Sequence, residues 1–328
     1  MNRRKNYVVF VGGMVLTVGL VAVVAWGLVN REWIYDYVRG MTYQPTAEMS
    51  LIRDKLKLTE KGKFLFNAAQ PELNERDTFN SSCRSAVDTE VAVLGCYAAG
   101  NIHIYNIVED ELAGIRELTT AHELLHANWA RMSEEEKRDL VEPLTRTFDA
   151  NRDLLESEIT TYNVDERQEE LYVRAGTEVA NLPDVLEKHY AEVFSDQDLV
   201  VSFYNSYIKV FREIEAEMDA LKAEMDAIMV EVNAKTAEYE QRANQLEAEV
   251  ESFNNCARME GCFVSMDEFY VKRNALLSEQ NAVETLYNVI DNLIREYNLR
   301  VERYNADITR HETLDKKINS SVKVDEIE

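Results

Sequence analysis

Thr120-Ala121-His122-Glu123-Leu124-Leu125-His126-Ala127 is the stretch on which the reading of this chain turns. It sits inside Glu111–Arg131, where Ile115, Leu118, Leu125 and Trp129 recur at helical spacing together with His122 and His126. Histidines four positions apart leave a helix on one face, one turn apart, so both imidazoles can bind a single Zn2+ at about 2.0–2.1 Å. Glu123 is rotated by about 100° from His122, which places it beside such an ion rather than on it. A carboxylate there can take a proton from a water that zinc has acidified. The chain has 5 histidines, so two of them bracketing a Glu at this spacing carry weight against coincidence.

The third ligand has to come from elsewhere in the chain. An extended pattern of the metzincin kind, H-E-x-x-H-x-x-G-x-x-H, would need Gly and His where this chain has Trp129 and Met132. His103, His189 and His311 stand in no downstream ligand motif, so a glutamate is the better choice. Here the sequence resembles the gluzincins, zinc peptidases with HExxH on one helix and a ligand Glu on a later one. The resemblance covers roughly residues 85–200. It extends to Glu169-Glu170-Leu171-Tyr172-Val173-Arg174-Ala175-Gly176-Thr177-Glu178, followed by Leu182-Pro183. It implies a zincin-like peptidase domain and a peptide or protein substrate. It makes Glu170 the first choice of third ligand and Glu178 the second. Arg174 stands where many gluzincins carry Asp. With His122, His126 and Glu170 on zinc, Glu123 acts as general base. Strand Asn101–Ile107 is expected to hold an extended substrate by edge pairing. Tyr172, His189 and Tyr190 are candidate oxyanion helpers, each as readily explained by packing.

Upstream of the motif, Leu51–Phe66 reads as helix and the region around Pro71–Ser82 as loop. Glu90–Tyr97 and Asn101–Ile107 read as strands, with Ile102 and Ile104 on one face and His103 and Tyr105 on the other. Downstream, Ser133 and Glu136 form a capping box that starts a new helix. Further helices are expected over about 165–180, 184–194 and 198–207. Beyond them Phe211, Ile214, Met218, Leu221, Met225, Ile228 and Val232 alternate spacings of three and four. After a polar interruption near Lys235 the stripe resumes at Tyr239. In a second arm Phe269, Leu276, Val283, Ile290, Tyr297 and Tyr304 recur every seven residues. These two arms predict an antiparallel coiled-coil hairpin.

The N-terminus predicts topology. Arg3, Arg4 and Lys5 precede Tyr7–Val29, which carries no charge and is long enough to span a bilayer as a helix. The positive-inside rule then puts the N-terminus in the cytoplasm and the bulk of the chain outside it, as a single-pass signal anchor; a cleaved signal peptide is the lesser option. The four cysteines all follow that segment. Their spacing favours disulfides Cys83–Cys96 and Cys256–Cys262, and without C-x2-C they do not read as a four-thiolate metal site. A net charge of −24 argues against a nucleic-acid partner.

The sequence therefore predicts a mainly α (α+β) protein. Its divisions are a cytoplasmic tip and anchor (1–30), a linker (31–50), a zincin-like metallopeptidase domain (51–207), a coiled-coil hairpin with a disulfide-stapled tip (208–315) and a tail (316–328). The function expected is a membrane-anchored, extracytoplasmic zinc peptidase. The alternative is a non-catalytic envelope scaffold or adaptor with a peptidase-like metal-binding domain. Under either, the coiled coil would serve an envelope protein partner or a homo-oligomer.

Overall fold

The computed structural model of the chain describes residues 19–84, 93–164 and 166–320. They form a mainly helical protein with a small mixed sheet and a long helix pair. The chain divides into two compact units. One runs to Val210 and takes in the residues from Asp315 onward; the other is Phe211–Leu314.

In the first unit the order is α1 (Arg31–Thr42), α2 (Ala47–Lys55), α3 (Glu60–Ala69), β1 (Glu72–Asn74), α4 (Arg76–Ser82), β2 (Gly95–Ala98) and β3 (Asn101–Tyr105). There follow α5 (Ile115–Trp129), α6 (Glu134–Ala150), α7 (Arg152–Ile159), α8 (Arg167–Glu178) and α9 (Asp184–Tyr190). β3 is central, parallel to β1 and antiparallel to β2. Its alternation follows the sequence pattern: Ile102 and Ile104 are fully buried, in one core with Ala121, Leu124 and Leu125 of α5. His103, on the opposite face, reaches Glu72 across the parallel pair at 2.8 Å. Because β3 is paired on both sides, it cannot offer an edge to substrate, and that expectation is corrected. The expected strand Glu90–Tyr97 is seen as Gly95–Ala98; residues 90–92 lie outside the described segments.

Three local expectations change for identifiable reasons. Leu51–Phe66 is not one helix. Lys57 takes a positive φ of 47°, and Thr59 starts α3 by accepting the Gly62 N–H at 3.1 Å. A capping hydroxyl thus overrides the apolar periodicity. The loop expected at Pro71–Ser82 contains β1 and α4. Residues 31–50, expected as a linker, are largely helical. α1 packs on α3, Arg39 Nε donates to Ala68 O at 2.8 Å, and Asp36 forms a two-pronged ion pair with Arg131 at 2.7 and 2.9 Å. None of the residues of α1 is buried: the helix docks through polar groups, while its apolar stripe of Trp33, Tyr37, Val38 and Met41 stays exposed and gives no sign of which side packs.

The expected span 7–29 begins outside the described residues. Its described part, 19–29, is helical, and among the described residues no helix is long and apolar enough to cross a membrane. Both expected cysteine pairs are disulfide-bonded. Cys83–Cys96 joins the end of α4 to β2, in a small core with Phe79 and Val93. The two bridges suggest an oxidising, extracytoplasmic setting.

The second unit holds the long helix pair, the greater part of α10 (Gln197–Ala257) and α11 (Met266–Ile318). α10 passes Lys235 without a break. Arg303–Glu217, Arg300–Glu224 and Arg242–Glu279 bridge the two helices, as do the ring pairs Phe211–His311 and Phe253–Phe269. The partners in each pair lie at nearly equal chain distances on either side of Gly261, which fixes an antiparallel register. Gly261 has φ 77°, the left-handed conformation a tight reversal needs, and the Cys256–Cys262 bridge closes the same turn. Ile214, Leu221, Ile228, Val283 and Leu286 form its buried seam.

Candidate metal centre

α5 is the most enclosed helix of the fold: 12 of its 15 residues are buried, among them Leu124 and Leu125 within the motif itself. Burial on the other sides directs the remaining face, with His122 and His126, toward α8. α8 places Glu170 opposite both rings. Glu170 Oε1 is 3.8 Å from His122 Nε2, and Oε2 is 3.5 Å from His126 Nε2. One ligand atom from each of these three residues lies within 4.8 Å of the others. Four donors at about 2.1 Å in a tetrahedron lie about 3.4 Å apart, so the observed spacing suits a small divalent ion. Two imidazole nitrogens and one carboxylate oxygen are also a donor set that zinc accepts. His122, His126 and Glu170 could therefore hold a metal ion.

Glu123 is buried on the same helix. Its carboxylate lies over Gly95 of β2: a Cβ added at Gly95 would come within 2.8 Å of Glu123 Oε1 and 2.6 Å of the Thr119 methyl. Only a residue without a side chain lets the strand approach this closely. Gly176 of α8 plays a comparable part, since a Cβ there would meet Leu125 and Tyr190 at 2.6 Å.

The charges of the site are strongly coupled. Burial and the nearby His126 and Arg174 cations hold His122 down to about 3, against the opposing pull of Glu170. Burial also disfavours charge on His126, but hydrogen bonds to Glu169 and Glu170 outweigh it and raise that group to about 10. Burial would raise Glu170, yet its histidine and Arg174 neighbours bring it well below the usual carboxylate range. The site is thus built around an ionised Glu170.

Arg174 has a definite place. Its Nε donates to Glu170 Oε1 at 2.6 Å and its other arm to Glu178 Oε1 at 3.0 Å. Glu178, the second-choice ligand, lies beyond Arg174 and outside the three-residue cluster. Tyr172 and Tyr190 are fully buried packing groups. The Tyr172 hydroxyl accepts from Asn128 at 2.7 Å and meets His189 Nε2 at 3.1 Å, while Tyr190 donates to the Tyr172 carbonyl at 2.6 Å. The bonds of Tyr172 to Asn128 and of Tyr190 to Tyr172 are buried and that to His189 partly so, which gives all three residues a packing role. His103 and His311 lie elsewhere, on β3 and in the helix pair.

One residue of the site was not singled out from sequence. Glu169 Oε1 lies 2.7 Å from His126 Nδ1, on the side of the ring away from Glu170. The Glu169-Glu170 doublet was the available signal, since adjacent helical carboxylates diverge by about 100° and can reach two sides of one ring.

Comparison with protein-family models, with curated proteins and with solved structures finds no match to this chain.

Proposed function

We propose that this chain is a zinc-dependent peptidase of the gluzincin type, anchored in a membrane with the site outside the cytoplasm. His122, His126 and Glu170 hold the metal and Glu123 is the general base. The observation that carries this reading is the convergence of the three ligand atoms within 4.8 Å, on two helices, beside a buried carboxylate one residue from the first histidine. A bound Zn2+ supplies a lowered pKa to water and polarises the scissile carbonyl.

The rest of the chemistry belongs to the chain's own groups. Glu123 takes the proton of the attacking water on its carboxylate and returns it to the leaving amine. Its position over Gly95 limits the directions in which that carboxylate can turn. β2 is an edge of the three-stranded sheet among the described residues and passes directly over Glu123. An extended peptide pairing along Gly95–Ala98 would bring its backbone to the site, the role first expected of Asn101–Ile107.

A partner-binding role for the helix pair stands beside the enzyme reading. Val264, Tyr270 and Val271 near its reversal are exposed apolar groups, which suit an envelope protein or a second copy of the chain. If that were the whole function, the metal site would be structural.

The test is metal analysis and peptide cleavage with the full chain and its Glu123→Gln variant. Equimolar zinc in both, with cleavage reduced about 10²–10⁴-fold in the variant, is the expected result. Equal cleavage by both, or a folded wild-type protein that takes up no zinc, would overturn the reading.

A further inference from the structure

Resting on that metal-site reading, we infer that Glu169 is a positioning residue that fixes the ring of His126, so that the adjacent carboxylates of α8 divide the work: Glu170 ligates and Glu169 aligns.

His126 lies between the two. Its Nδ1 is 2.7 Å from Glu169 Oε1, a short charge-assisted hydrogen bond, and its Nε2 faces Glu170 Oε2 at 3.5 Å. Nδ1–H donating to Glu169 leaves Nε2 as the nitrogen available to a metal. A metal-bound imidazole whose other nitrogen is so engaged has its tautomer and ring plane set and its basicity raised.

Arg174, the other group bonded to Glu170, cannot serve in this way, because a guanidinium cannot accept a hydrogen bond from an imidazole N–H. Arg174 is instead committed to Glu170 and Glu178, at 2.6 and 3.0 Å. For His126 the acceptor is the residue before the ligand. Helix geometry permits this because residues 169 and 170 point about 100° apart, and α8 lies close enough to α5 for both to touch one imidazole. Glu169 is also about one-third exposed, so the fold does not depend on its burial and its substitution reads out alignment rather than packing.

The experiment uses the full chain in detergent, titrated with Zn2+ and with Co2+ against a competing chelator, comparing wild type with Glu169→Ala, Glu169→Gln and Glu170→Ala. Glu169→Ala is expected to lower metal affinity about 10–100-fold and to alter the visible Co2+ absorption. Glu169→Gln keeps an acceptor oxygen and should recover most of the affinity and the wild-type spectrum. Wild-type affinity and spectrum in Glu169→Ala, or a Gln variant as impaired as Ala, would overturn the inference while leaving the site intact. A wild type that binds neither ion, or a Glu170→Ala variant that binds as well as wild type, would remove the metal site itself and the inference with it.

Discussion

The unit that carries the histidines and the paired long helices bury their residues in different ways. In α5, apolar and polar groups alike are enclosed: Ile115, Leu124 and Leu125, but also Glu117, Thr119, Thr120, Glu123 and Asn128. Each polar group there requires a partner, and several have one in view: Lys55 for Glu117 at 2.6 Å, Tyr172 for Asn128 at 2.7 Å. The helix pair buries one narrow seam and leaves its remaining surface exposed, apolar groups such as Val230, Val271 and Leu299 included. A seam tolerates local error because each layer touches only its neighbours. A helix enclosed on every side transmits a change in one residue to the residues that hold the site.

The largest expected contrast comes from matched truncations. Leu124→Ala removes a fully buried side chain between the two histidines and should cost about 3–4 kcal/mol of stability, within the range for such cavities. It should also weaken metal binding: Leu124 lies on the face of α5 opposite the histidines, and a shift of the helix toward the cavity carries both rings with it. Leu221→Ala, in the buried seam of the helix pair, should cost about 2–3 kcal/mol and leave metal affinity unchanged. Denaturation followed by circular dichroism and a zinc titration check both. Equal effects of the two variants on metal affinity would dissolve the contrast.

A smaller effect sharpens it from the polar side. Asp36 and Arg131 are both mostly enclosed, and Arg131 lies just past the end of α5, where it also bonds Tyr97 and the Ala127 carbonyl. Asp36→Ala leaves the guanidinium with those two partners alone. The expected loss is about 2 kcal/mol, below the cost of stripping a fully buried pair because some solvent still reaches it. Amide hydrogen exchange should quicken in α1 first. Exchange in α1 that matches wild type would show that the ion pair does not hold this helix.

The same contrast governs what the sequence made legible. Heptads at Phe269, Leu276 and Val283, and the histidine spacing in α5, are local regularities, and both elements are where the periodicity puts them. Ser133 and Glu136 form the capping box that their spacing announces. What stayed hidden depends on groups distant in the chain. The apolar stripe of α1 is exposed and does not mark its docking face, and its attachment through Asp36 to Arg131 and Arg39 to Ala68 is visible only when those residues are adjacent. β1 is three residues long and is defined by its pairing with β3. Glu170 became a candidate through a family resemblance, and Glu169 acquires meaning only once α8 is laid against His126.

The least effect is expected where the helix pair looks most strongly bonded. Arg300 Nε lies 2.6 Å from Glu224, yet the carboxylate is more than half exposed. Water and salt screen such a pair, and two long side chains lose freedom in forming it, so the net gain is small. A double-mutant cycle of Arg300→Ala and Glu224→Ala should give a coupling of about 0.2–1 kcal/mol that shrinks as salt is raised. The pair's use is then in register, since Arg303–Glu217 and Arg242–Glu279 lie at matching distances from the same reversal, and a slipped alignment would break all three at once. A coupling above about 2 kcal/mol that persists in high salt would mean the pair behaves as a buried one. The helix pair would then depend on enclosed charges, as α5 does, and the difference between the two regions would be one of shape rather than of how they are stabilised.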